Sequence, residues 1–390
     1  MSNGARHRGT GDDFPQAPRP TQRTGWPHDV IEVDVTRTIT TPRRTRAAGL
    51  LAAVAATALL LSACSSDEGA TEAGATSGGA ESFDAVSVQL SWLKNQQFAG
   101  EYLAVEDGLY TDAGFPEVTL TAGGSSATSA EAAVATGQAF VGLSSPLITA
   151  PAIQGGAELK IVGATYQRNP FALVSAASAP IAGPEDLAGT TIAVSDSNTL
   201  VWNAFLAAND IDPTSLTTVP LSDTSMLTTG QVDGLIGYTT TGAAALTAAG
   251  FEATEFLLAD EGLPMVGEVL VTSQEAIDTK PEQVKAFLLA TAQGWAAALA
   301  DPARAVDLTV NEYGKEQQYD ADAITLSFDR QATLVESDET AANGLLTVSD
   351  ELQQGTIDSL AFAGVDITAE ELFDLSLLDE VYAENPDLLQ

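Results

Sequence analysis

The sequence predicts an α/β fold made of two lobes with a ligand cleft between them, and three observations predict it. From Phe83 onward short apolar strands alternate with helix-like segments, the pattern of α/β proteins. Polar clusters stand where those strands end, and in open α/β sheets ligands sit off the carboxyl ends of strands. Residues 175–189 (SAASAPIAGPEDLAG) are rich in Ala, Pro and Gly and read as a crossover that divides the alternation into two cycles.

The elements follow in order. Val86–Leu90 alternates like a strand, and Phe98, Tyr102, Val105 and Leu109 then recur at helical spacing, broken at Gly108. Val118–Leu120 is the next strand; it runs into Gly123-Gly124-Ser125-Ser126 and an Ala-rich helix stopping at Gly137. Phe140–Leu143 is a strand ending at Ser144-Ser145, and Lys160–Ala164 one ending at Tyr166-Gln167. In the second cycle Thr191–Val194 is a strand, Ser195–Asn198 a turn, and a helix runs through Trp202, Phe205 and Leu206. Further strands are Leu216–Leu221, Gly234–Tyr238 and Glu268–Val271. The clearest helix opens at Thr279-Lys280-Pro281-Glu282, a capping box with an early proline, and carries the stripe Val284, Phe287, Leu288, Thr291, Trp295, Ala298. The remainder to Gln390 is mostly helical in pattern with an acidic surface, and no repeat of 20–50 residues is visible. The expected division is 83–180 and 267–390 for the first lobe and 181–266 for the second.

Composition removes whole classes of function. The 390 residues carry a formal charge of −37, but residues 64–390 alone hold 8 basic and 48 acidic side chains, a net of −40. Such a surface repels DNA and RNA, whose binding rests on Lys and Arg neutralising phosphates. Both histidines, His7 and His28, precede residue 63, and the one cysteine is Cys64. The body therefore has no Ser-His-Asp or Cys-His apparatus, no His-ligated metal, no Cys-based zinc or iron–sulfur site and no disulfide framework. No cofactor and no metal are expected. With 45% hydrophobic residues the chain is long enough for a sizeable core or two lobes.

The amino-terminal segment reads as an address. Arg43, Arg44 and Arg46 precede an uncharged run, Ala47–Ala63, that is short for a membrane-spanning helix and suits the apolar core of a secretory signal. The run ends Leu61-Ser62-Ala63-Cys64, which resembles the lipobox of bacterial lipoproteins; the resemblance implies cleavage before Cys64 and lipid attachment to it. Residues 1–63 are thus read as a signal with an extended amino-terminal part. Residues 64–82, rich in Gly, Ser, Ala and Thr, are read as a lipidated tether.

A more specific resemblance starts at Gln89–Gly100 (QLSWLKNQQFAG) and continues through Ala104–Tyr110 and Ala113–Phe115. With Ala135–Gly142, Pro184–Gly189, Gly230–Gly234 and Lys280–Phe287 in order, it is similar to the NMT1/THI5-like solute-binding proteins, over roughly residues 86–310. That family includes receptors for thiamine pyrimidine precursors and riboflavin, with nitrate, sulfonate and taurine receptors as relatives. The resemblance implies a periplasmic-binding-protein type II fold, two lobes joined by two crossings, closing on a ligand. It implies ABC permease and ATPase subunits as partners and a place on the outer face of the cell membrane, held by the lipid at Cys64. A monomer is expected. The family's enzyme branch, the pyrimidine synthases, has histidine where Phe98 stands here, and Gln138 replaces the usual Asp of the family's GxxDxG step.

Candidate ligand-binding residues come from the strand ends. Trp92 follows the first strand and would either stack on a flat heteroaromatic ring or pack under the Phe98 helix. Asn95 and Gln97 are amides that could read ring nitrogens or carbonyls, and Glu101 could accept from an exocyclic amine. Ser125 and Ser126 lie between strand and helix, where free N–H groups and hydroxyls suit oxygen; ordinary capping is the alternative. Ser144, Ser145, Tyr166 and Gln167 hold the equivalent positions of the next strands, and Tyr166 either offers a second ring for a sandwich or belongs to the core. From the second lobe come Ser197 and Asn198 at a helix start, Trp202 one turn deeper and half core, and Tyr238 at a strand end. Glu268 falls where the chain returns to the first lobe, a hinge position. The scarcity of bases favours a neutral or weakly cationic heteroaromatic ligand over a sulfate-like one. The alternatives are a receptor for sulfonate, taurine or nitrate, a pyrimidine-synthase-like enzyme, and a sensing lipoprotein that feeds a membrane kinase.

Overall fold

The computed structural model describes residues 82–389 apart from Ser125. The expected signal (1–63), Cys64 and nearly all of the expected tether lie outside those residues.

Val86, Val88 and Leu90 open the first of two five-stranded sheets. Its strands are β1 (Val86–Gln89), β2 (Val118–Thr121), β3 (Val141–Ser144), β4 (Leu159–Tyr166) and β10 (Gly267–Ser273), in the order β2-β1-β3-β10-β4. The second contains β5 (Phe171–Ala176), β6 (Thr191–Val194), β7 (Thr217–Pro220), β8 (Gly234–Tyr238) and β9 (Ala253–Leu257), in the order β7-β6-β8-β5-β9. β3, β4 and β10 are buried along nearly their whole length, because helices cover both faces of the sheet and the alternation of a one-sided strand disappears. β7 is the opposite case: a largely exposed edge strand ending in Pro220, whose missing N–H removes nothing from a ladder.

Strand directions fix where the cleft is. β1 runs parallel to β2 and β3, and β10 is antiparallel to both β3 and β4, so β1–β4 all run one way. β4 ends at Tyr166 and the chain crosses in four residues to Phe171, the start of β5. β5 is antiparallel to β8 and β9, and β6 is parallel to β7 and β8, so β6–β9 run back toward the crossing. The return goes through 258–266 to Gly267, which pairs with Tyr166. The carboxyl ends of β1–β4 and of β6–β8 therefore converge on the two crossings, which is where ligands bind in sheets of this kind.

Two expectations are corrected here. β5, from a Phe-Ala-Leu-Val-Ser-Ala run next to the Ala/Pro/Gly-rich segment, pairs in the second sheet. The crossing thus lies at 167–170, ahead of the expected boundary at residue 180, and residues 177–190 link two strands of one sheet. The capping box at Thr279 also does not form: the helix Pro281–Ala300 starts at Lys280 without a side-chain cap, and the Thr279 hydroxyl donates to the Glu275 carbonyl instead. Proline at the first helical position is present as read.

Helices Ala99–Glu106 and Pro281–Ala300 cross at unusually short range because each contributes a glycine. A Cβ on Gly294 would lie 2.2 Å from the Gly100 carbonyl oxygen, and one on Gly100 would lie 2.3 Å from the Trp295 ring. One apolar cluster spans both sheets, joining Ile161 and Val271 of the first, Leu173 and Ile192 of the second, and Leu360 and Val365 of the carboxyl-terminal helices; a second, around Phe98, Phe287 and Trp295, lies against the first sheet. No helix among the described residues is long and apolar enough to cross a membrane.

Candidate ligand-binding cleft

The loop after β1 builds the first wall. Its backbone turns at Ser91–Lys94 into a short 3-10 turn, Gln96–Phe98, capped by Asn95: the Asn95 side chain accepts from the Gln97 N–H at 2.9 Å and donates to Gln97 Oε1 at 2.8 Å. The Tyr102 hydroxyl donates to the Asn95 carbonyl at 2.9 Å and fixes the loop from below. With its polar residues held inward, the loop presents Trp92 (44% exposed) and Leu93 outward at the cleft edge.

Glu268 ties this loop to the return crossing. Ser91 Oγ donates to its Oε1 at 2.6 Å and Gln97 Nε2 to its Oε2 at 3.1 Å, so both carboxylate oxygens are engaged. Its backbone has φ +44°, a left-handed conformation that a residue with a Cβ adopts only where the surroundings impose it. Burial pushes the carboxyl up to about 8; the Ser91 hydroxyl pulls it back, the Glu101 charge adds to the rise, and Gln97 offsets part of it. Glu101, fully buried one turn along, is likewise pushed to about 7 by burial. The Trp295 indole lies near enough to lower it partway, yet neither Glu101 oxygen nor Trp295 Nε1 has a well-formed hydrogen bond.

On the second wall Tyr238 ends β8 half-buried, edge-on to Phe171 with ring centroids 4.6 Å apart, and burial together with the Glu268 charge raises its hydroxyl. Ser197 is exposed and Asn198 half-buried at the start of helix Thr199–Ala208, with Ser197 Oγ 3.0 Å from Ser195 Oγ. Ser126 is exposed and Ser145 half-buried, the latter capping helix Pro146–Gln154; Ser125 lies outside the described residues.

Other candidates are turned away from the opening. Trp202, read as one turn deeper and half core, is buried, stacked on Phe205, with its indole N–H donating to Thr218 Oγ1 at 3.1 Å. Tyr166 is also buried; its hydroxyl donates to Gln331 Oε1 at 2.9 Å, and Gln331 Nε2 donates to the Gln96 carbonyl at 2.9 Å. Gln167 is buried and donates to the carbonyls of Ala164 and Thr347. Ser144 is buried and donates to Glu131.

Four residues at the cleft were not picked from the sequence. Ile148 and Leu200 are exposed apolar side chains on the first turns of the helices that follow β3 and β6, a position whose solvent exposure beside a strand end could have marked them. Arg330 and Gln331 come from helix Ala321–Val335, about 60 residues after the return crossing, and nothing local signals that this helix reaches both lobes. Arg330 pairs with Glu255 and donates to Thr239 Oγ1 at 3.1 Å in the second lobe.

The cleft edges thus offer exposed apolar and aromatic surface, amides already oriented by one another, and carboxylates. Six of the eight basic side chains among the described residues have a side-chain or carbonyl partner. Lys94 sits 5.5 Å from the Tyr313 ring centre; Arg168 pairs with Asp260, Lys285 with three glutamates, Arg304 with Asp107 and Arg330 with Glu255; Lys160 donates to two carbonyls. A surface groove of about 590 Å³ lies elsewhere, beside Lys160 and Gln274 at the far ends of β4 and β10. Among the described residues no group of three or more His, Cys, Asp or Glu side chains is placed to hold a metal ion.

Comparison with known proteins agrees with this architecture. The riboflavin-binding protein RibY of Chloroflexus aurantiacus is 27% identical over 320 residues, covering 79% of this chain and 90% of RibY. The periplasmic sulfonate-binding protein SsuA of a putative sulfonate ABC transporter from Methylobacillus flagellatus superposes with a TM-score of 0.61 at 14% identity, over 80% of this chain and 96% of SsuA. The desulfurization enzyme DSZB shares the fold with a TM-score of 0.52 at 14% identity, over 77% of this chain and 99% of DSZB. The fold is that of the periplasmic binding proteins. Residues 95–305, more than half of the sequence, match the family described as NMT1/THI5 like, and the chain belongs to it.

Proposed function

We propose that this protein is an extracytoplasmic solute receptor of an ABC importer, lipid-anchored through Cys64, that captures a small neutral or weakly cationic heteroaromatic compound, pyrimidine- or flavin-like, and hands it to a membrane permease. The observation that carries the ligand class is the pairing of an exposed Trp92 ring with a cleft whose nearby bases are engaged by other groups. A flat ring stacks on an indole face without needing a counter-charge, whereas a sulfonate or nitrate needs one. The RibY relative supports a flavin-like ligand. Closure would bring the Tyr238 and Trp92 walls together, and tighter binding in the closed form would shift the population toward it.

The fold also hosts an enzyme, DSZB. Against a catalytic reading stands the body's lack of any histidine beyond His28 and any cysteine beyond Cys64, which leaves no imidazole or thiol near the cleft.

Calorimetric titration of the purified chain with riboflavin, an aminopyrimidine, taurine and nitrate tests the proposal. Binding of a heteroaromatic member is expected, and Trp92→Ala should weaken it by about 1–3 kcal/mol, the loss typical of a stacked base. Binding of taurine or nitrate alone, or an unchanged affinity in Trp92→Ala, would overturn the ligand class; conversion of a bound compound to product would overturn the receptor role.

A further inference from the structure

Glu131, which accepts from Ser144, is a buried carboxylate outside the network around Glu268. It lies in the first turn of helix Ala130–Ala135, and its Oε1 accepts from the hydroxyl of Ser144, the last residue of β3, and from Thr149 Oγ1 at 2.9 Å in helix Pro146–Gln154. Glu131 is 5% exposed, Ser144 3% and Thr149 0%. The other oxygen, Oε2, is buried without a hydrogen-bond partner among the described residues. The group sits just under the cleft edge, since β3 ends there and Ile148, next to Thr149, is 54% exposed.

Two hydroxyl donors beside the start of a nine-residue helix make a place where an anion's oxygen is stabilised. Here the oxygen belongs to the chain. We propose that Glu131 is a specificity-determining residue that turns the first-lobe wall against anionic solutes: its carboxylate occupies the anion position and holds both hydroxyls. A sulfonate or nitrate approaching this wall would find the donors engaged and would meet a like charge in a poorly solvated setting, where repulsion is strong. A neutral ring meets neither obstacle, and a ligand N–H could approach the unpartnered Oε2. The proposal rests on the cleft being a solute site, but the anion position itself can be tested apart from that.

The test compares the purified wild-type chain with Glu131→Ala and Glu131→Gln. Small anions should fill the space vacated in Glu131→Ala: acetate or formate is expected to raise its melting temperature saturably by 3 °C or more over matched chloride, with wild type unmoved. Titration with ethanesulfonate and nitrate should show affinity at least tenfold above wild type in one or both variants, while riboflavin affinity stays within threefold. Should the alanine variant fail to fold, the near-isosteric glutamine variant decides by the same titration. The proposal is overturned if wild type already binds ethanesulfonate or nitrate at micromolar concentration, or if no folded variant gains anion affinity. Absence of riboflavin and aminopyrimidine binding in wild type would count against the receptor's ligand class alone, because the acetate response of Glu131→Ala still reports on the anion position.

Discussion

Glu268 combines three things rarely found on one side chain: a left-handed backbone, full burial, and hydrogen bonds to both ends of the loop that carries Trp92. Its carboxyl holds a proton more tightly in the folded chain, about 8 against an ordinary 4.5, and Glu101 does so at about 7. The native state therefore binds more protons than the unfolded state between those values, and stability must fall as pH rises through that window and level off above about 8. The slope contributed by each group cannot exceed about 1.4 kcal/mol per pH unit. Urea midpoints measured from pH 5 to 9 should decline, and Glu268→Gln should flatten the decline; an equal slope in both proteins would remove Glu268 as its source. Residue by residue, the sequence marked Trp92 by its place after the first strand and Glu268 by its place where the chain returns to the first lobe. At Trp202 and Tyr166 it left cleft and core both open, because a large ring near a strand end is drawn equally by each, and the packing of Phe205 and Gln331 decides for the core.

At the scale of elements, the crossing of Ala99–Glu106 with Pro281–Ala300 depends on two positions without side chains. Alanine in place of Gly294 would gain up to about 1 kcal/mol of helix propensity. The new methyl would, however, sit 2.2 Å from a backbone carbonyl oxygen that cannot swing aside as a side chain could. Overpacking wins, and Gly294→Ala should lower stability by about 1–3 kcal/mol in a urea melt; a neutral or stabilising result would mean that the helices can slide apart without loss. Most strands were legible from short apolar runs between turn residues, including β1, β3, β6 and β8. β5 was passed over because its neighbours are so rich in Ala, Pro and Gly that the segment reads as a linker, and β9 because Ala253–Leu257 is only half-buried and carries no clean alternation. The failed capping box at Thr279 has a local cause: the preceding helix, Gln274–Thr279, already takes the threonine hydroxyl.

For the molecule as a whole, helix Ala321–Val335 links the lobes in addition to the two crossings. Gln331 holds Gln96 and Tyr166 of the first lobe, while the adjacent Arg330 holds Thr239 and Glu255 of the second. The Arg330 and Glu255 side chains are only 26% and 22% exposed, so deleting one leaves the other poorly solvated. Arg330→Ala should cost about 1–3 kcal/mol of stability and increase the radius of gyration of the ligand-free protein in small-angle scattering; a variant unchanged in both would show that the crossings alone set the lobe arrangement. Two lobes were foreseeable from the doubled α/β cycle, but this brace was not, since it depends on a helix far along the chain folding back across the opening. β10 has a related origin and a consequence for how the protein is made. An interior strand of the first sheet, lying between β3 and β4, is supplied by residues 267–273, after the whole second lobe. As the chain emerges from its amino end, the facing edges of β3 and β4 must wait, unpaired and apolar, while about a hundred residues pass. Nascent chains stalled before residue 267 should therefore be the aggregation-prone species and the ones that engage chaperones.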